Sequence, residues 1–160
     1  MGQTIGALLQ TGPEETVIRN CLASLDGLVD PANVTVLHVA GEDGTPDICQ
    51  QWGAQVTRSK YWTPDPDGDV PQPDALNELL ALAKGRADYH IVTGANDLVI
   101  HKPLPALTEP RYYLKHVRGR REFPMAHLIR DDIPWAGAGA DHSYLTPEFP
   151  RVDLAEIEIH

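Results

Sequence analysis

No run in this 160-residue chain approaches the roughly 18 consecutive apolar residues that a membrane-spanning helix needs. The first ten residues are also too short and uncharged to act as a secretory signal, so a cytoplasmic protein is expected. Cysteine is scarce, and the two present, Cys21 and Cys49, fall in helix-like stretches among apolar neighbours. That setting favours packed, reduced thiols over a disulfide, a nucleophile or a metal site. Positive charge is in deficit, with 13 Lys and Arg against 23 Asp and Glu, a formal net charge of −10. Such a balance repels nucleic acid and anionic lipid surfaces, and the basic cluster Arg118-Gly119-Arg120-Arg121 is too short to reverse it. A ligand that carries phosphate would need a local metal or arginine. No internal repeat is visible.

What is present is ordinary globular material, 42% hydrophobic and 22% charged, of a length suited to one domain spanning residues 1–160. Residues 4–10 form a short apolar run ending in Thr11-Gly12-Pro13, which predicts a buried strand entering a turn. Thr11 and Glu14 have capping-box spacing, and Val17, Ile18, Cys21, Leu22 and Leu25 recur at the helical period. Residues 34–39 are β-branched and apolar and lead into the turn-rich stretch 40–44. Thr45 is expected to cap a second helix, with Pro46 in its first turn and Gly53 just past its end. A short strand at 55–57 follows.

Residues 58–72, rich in Pro and Asp, predict a long loop. A third helix is expected from about Pro73, with Ala75, Leu79, Leu80, Leu82 and Ala83 on its apolar face and Gly85 at its end. A strand over 89–93 runs into Gly94-Ala95-Asn96-Asp97. Alternating strands and helices predict an α/β fold, a mostly parallel sheet with helices on both faces and ligands at the carboxyl ends of the strands. Beyond residue 100 the pattern becomes a hairpin, strands 111–117 and 123–128 around Gly119, then a Gly- and Ala-rich loop at 135–140.

Several ordered motifs carry a resemblance. They are Cys21 to Leu25, Asp43-Gly44-Thr45, Trp62 followed by Ala75-Leu76-Asn77, Gly94-Ala95-Asn96, and then Arg130, Trp135, Gly137, His142, Ser143, Tyr144 and Leu145. In this order they resemble the compact family-2-type glycosyltransferases of the GT-A fold, over nearly the whole chain. The resemblance implies a Rossmann-like nucleotide-diphospho-sugar transferase scaffold with a donor site at His38, Gly41, Asp43, Asn77, Gly94 and Asn96. It also implies a Mg or Mn site at Asn96, Asp97 and His142, and a base drawn from local carboxylates, with Asp132 and Asp141 as candidates.

Several of those positions have changed chemistry. The family's Asp-x-Asp holds a divalent ion that stabilises the diphosphate leaving group. Here Gly94 supplies no side-chain oxygen and Asn96 only a neutral carbonyl. His38 stands where an Asp receives the base, and Leu76 where an Arg pairs with diphosphate oxygens. His142-Ser143 replaces His-Glu, which removes a carboxylate. A scaffold with impaired or lost donor chemistry and a binding or assembly role is therefore expected, its partner a nucleotide-sugar, a glycan or a protein. An active but divergent transferase, using Asp97, Asn96 and His142 for metal, is the alternative; an acidic interaction module is a third. His90 and His101 match no zinc spacing, Trp62 and Trp135 suit sugar stacking or core packing equally, and Gly41 to Gly44 match no phosphate-loop fingerprint.

Overall fold

A computed structural model describes residues 3–68, 70–131, 135–136, 144–145 and 151–160. The first half alternates as expected: β1 (Ile5–Thr11), α1 (Ile18–Ser24), β2 (Val34–Ala40), α2 (Thr45–Trp52), β3 (Gln55–Thr63), α3 (Gln72–Ala83) and β4 (Tyr89–Gly94). The second half is β-rich, with β5 (Val99–His101), β6 (Arg111–Arg118), β7 (Arg121–Arg130), the short pair β8 (Trp135–Ala136) and β9 (Tyr144–Leu145), and β10 (Asp153–Ile159).

Eight strands form one sheet in the order β3-β2-β1-β4-β7-β6-β10-β5. β3, β2, β1 and β4 pair in parallel, whereas β7 is antiparallel to both β4 and β6. β10 pairs in parallel with β6 and antiparallel with β5. β1 and β2 are covered on both faces and read accordingly as apolar runs. Ile18, Cys21, Leu22, Ile48 and Cys49 of α1 and α2 pack on one face with Ala7, Leu9, Val34, Val36 and Ile91. Ala75, Leu79, Leu80 and Ala83 of α3 pack on the other with Leu8, Leu37 and Ile129. The expected fold class is therefore the observed one, helices on both faces of the sheet and a hairpin toward the carboxyl end.

Local details depart from expectation where tertiary contacts outweigh local signals. Thr11 belongs to β1 and its hydroxyl meets His38, so no capping box forms with Glu14. Gly44 takes the N-cap position of α2, and Thr45 is its first helical residue, with its backbone N–H bonded to the Asp43 carboxylate. Gly53 does close α2 in the left-handed conformation, at φ +115°. β3 runs on to Thr63, so the expected loop over 58–72 is shortened at its start. The side chains of Arg58 and Lys60 stand exposed along it, charges suited to an edge strand. α3 ends at Ala83 with Lys84 as C-cap, and Gly85 follows at φ +84°. The β6–β7 hairpin turns through Gly119-Arg120 with Gly119 at φ +60°, the backbone sign that a II′ turn needs at its first central residue. β5 and β10 were not anticipated: β5 has three residues, and β10 is an acidic alternating stretch that its pairing with β6 and β5 defines.

Helix α3 descends toward the amino ends of the parallel strands, because Gly85 just past it donates to Asp131, whose own N–H donates to the Asp88 carbonyl at the start of β4. Its first turns, which carry Leu76 and Asn77, consequently stand on the carboxyl side of the sheet. At the opposite end, Gly6 in β1 has no room for a side chain. An added Cβ would lie 2.6 Å from His90 Nδ1 and 2.9 Å from the Asn33 carbonyl oxygen. Gly6→Ala should therefore destabilise the protein by about 1–3 kcal/mol, since relief requires movement of a buried histidine or of backbone. A urea unfolding midpoint measured against wild type checks this.

Candidate functional site

The carboxyl ends of β2, β1 and β4 come side by side by register. Thr11 pairs with His38, and Gln10 with Gly94. Adjacent strands lie about 4.8 Å apart, so these positions span only about 10 Å of sheet edge. The structure thus brings His38, Gly41, Asp43, Gly94, Asn96 and Asp97 to one end of the sheet, with Leu76 and Asn77 above it on α3. Asp132, Asp141 and His142 lie outside the described residues.

His38 is buried, 2% exposed, and both ring nitrogens are engaged. Nε2 lies 2.8 Å from the Gly41 carbonyl, which can only accept, so Nε2 carries the proton. Nδ1 then accepts from the Thr11 hydroxyl at 3.2 Å. The Gly41 carbonyl also accepts from Trp62 Nε1 at 3.1 Å, while the Gly41 N–H donates to the Thr63 carbonyl at 2.8 Å. Gly41 makes these bonds at φ +68°, in a conformation that suits glycine. The Arg58 guanidinium lies over the Trp62 ring, 4.1 Å from its centroid, and covers that face.

Asp43 ties two loops together. Its Oδ1 accepts from the Thr45 N–H at 2.8 Å and its Oδ2 from the Glu15 N–H at 3.1 Å. The Thr45 hydroxyl in turn accepts from the Glu14 N–H at 2.9 Å. Burial works to raise the Asp43 pKa, but the hydrogen bonds from Thr45 and Glu15, with His38 nearby, hold it below the ordinary carboxylate range. The intact Asp43-Gly44-Thr45 motif thus binds the β1–α1 and β2–α2 loops to each other.

At the end of β4, Asn96 is exposed and Asp97 is buried, 4% exposed. Asp97 Oδ2 accepts from the Gly94 N–H at 2.8 Å and the Thr93 hydroxyl at 3.1 Å. Its Oδ1 forms an ion pair with Arg118 Nη2. A Cβ on Gly94 would stand 3.2 Å from both Asn96 Oδ1 and Asp97 Oδ2, so this turn is built close around a glycine. These residues do not fit a divalent cation. Gly94 offers no side-chain ligand, Asn96 a single neutral oxygen, and Asp97 has three donors on its two oxygens. Among the described residues no group of three His, Cys, Asp or Glu side chains comes together to hold a metal.

Arg118 entered the sequence analysis only as part of a basic cluster. Its place follows from strand order: Ile91 is level with Leu128, and Leu128 with Tyr112. Since β4 and β6 run the same way, Arg118 stands as far beyond Tyr112 as Asp97 stands beyond Ile91. A donor elsewhere at this end was also not anticipated: Gln10 Nε2 is buried with no hydrogen-bond partner among the described residues. Two clefts of about 650 and 460 Å³ lie toward the amino side of the sheet, around Asp88 and Asp131 and around Gly27 and His101. Of the histidines set aside as zinc ligands, His90 is fully buried with Nε2 2.6 Å from Asp131, and His101 Nε2 donates to the Asp26 carbonyl.

No protein-family model matches the sequence, and no curated protein matches it. Solved structures do. S. aureus TarS superposes over 97% of this chain and 36% of its own, with TM-score 0.61 and 14% identity. The chain has a GT-A glycosyltransferase fold. At that identity the likeness establishes architecture alone. Looser superpositions include TarS residues 1–349 in complex with UDP, at 18% identity, TM-score 0.47, and 60% and 28% coverage of the two chains. Another is M. tuberculosis glucosyl-3-phosphoglycerate synthase in complex with Mg²⁺ and UDP, at 27% identity, TM-score 0.45, and 61% and 34% coverage. The chain spans about a third of the length of these structures. No helix among the described residues is long and apolar enough to cross a membrane.

Both cysteines sit under this site as packing, in agreement with the sequence reading. Burial, with smaller effects of Asp97 and Cys49, pushes the Cys21 thiol up to about 12, and burial pushes Cys49 up to about 11. Cys21 Sγ lies 3.4 Å from the Gly94 carbonyl oxygen. Neither thiol should react with a disulfide reagent at pH 8 until denaturant is added; a native-state titration counting free thiols checks this. His116, near Asp97 and Arg118, is held below the ordinary histidine pKa by burial, opposed by Asp97 and reinforced by Arg118. Its folded pKa is depressed, so its contribution to stability is complete above about pH 6.5 and is lost as pH falls through the folded value. Thermal midpoints between pH 7.5 and 5 should fall in wild type and flatten in His116→Gln. Carboxylates titrate lower, and the six other histidines are common to both proteins, so the difference in slope between wild type and variant reports His116.

Proposed function

We propose that this chain is a glycosyltransferase-like domain that has lost metal-dependent transfer from a nucleotide-sugar and retains a binding role at the carboxyl ends of its strands. The observation that carries this reading is the engagement of Asp97. The carboxylate of the Gly94–Asp97 turn is buried and bonded to Gly94, Thr93 and Arg118, so a cation would have to displace the partly exposed Arg118 guanidinium from it. His38 points the same way, since both nitrogens serve Thr11 and Gly41 rather than a base. Leu76 supports it as well, because no guanidinium stands there to fork onto a diphosphate. A retained binding role is supported by Gln10 Nε2, buried with no hydrogen-bond partner among the described residues, since such a donor is costly unless a ligand meets it.

The candidates Asp132, Asp141 and His142 belong to the active-transferase alternative, in which one carboxylate deprotonates an acceptor hydroxyl. That alternative demands turnover. The folded protein, incubated with uridine and guanosine diphosphate sugars and millimolar Mn²⁺, should release no nucleoside diphosphate above background. Its melting temperature should not rise on adding Mn²⁺ to a nucleotide-sugar already present. A saturable Mn²⁺-dependent rise would overturn the loss of metal binding, and release that Asp132→Asn or Asp141→Asn abolishes would establish the active enzyme instead.

A further inference from the structure

We draw no further inference here: the strongest candidate, the apolar patch at the β5 edge of the sheet where Leu98 and Ile100 stand 40% and 51% exposed, is an outward-facing surface, and nothing in the structure shows what covers it.

Discussion

β1 lies between β2 and β4, paired in parallel with each, and the position of everything at the candidate site depends on that double register. A strand flanked on both sides and covered on both faces has no exposed surface to satisfy its backbone, so all its hydrogen bonds go to neighbours and all its side chains to the core. Leu8 and Leu9 face opposite helical layers, each fully buried, and each contributes about 1.5–3 kcal/mol by its removal from water. A slip of one residue would exchange those faces. Because it would expose nothing but mismatched packing, the register is firm, and with it the alignment of Thr11 beside His38 and Gln10 beside Gly94.

On that platform the polar groups of the carboxyl ends are largely engaged with one another. His38 holds Thr11 and Gly41, Asp43 holds the amides of Glu15 and Thr45, and Asp97 holds Gly94, Thr93 and Arg118. The loops are braced internally, and the charge at the Gly94–Asp97 turn is balanced by a side chain rather than left for an ion. His38 joins Thr11 to Gly41 through its two ring nitrogens, and Gly94 allows the turn to close tightly.

Much of the first half was legible because its signals are local. Apolar runs at β1 and β2, the glycine after α2 and the periodic face of α3 each arise within a few residues, and the structure agrees with them to within their ends. The capping box at Thr11 and Glu14 was misleading because a tertiary bond from Thr11 to His38 outweighed a short-range pattern. β10 was invisible for a related reason: Asp153–Ile159 becomes a strand by pairing with β6 and β5, and an acidic alternating segment has no strong preference by itself.

By itself, the sequence determined the fold class, the order of the motifs and which chemical groups are absent at positions 38, 76, 94 and 96, since composition and spacing fix what side chains are available. The tertiary structure alone decided what the remaining groups do. Asp97 and Arg118 sit far enough apart in the chain that no periodicity relates them, yet two strand pairings set them level and join them. The physical reason is that hydrophobic pattern is a local property of the chain, whereas the neutralisation of a buried charge is settled by whichever partner the sheet brings within reach.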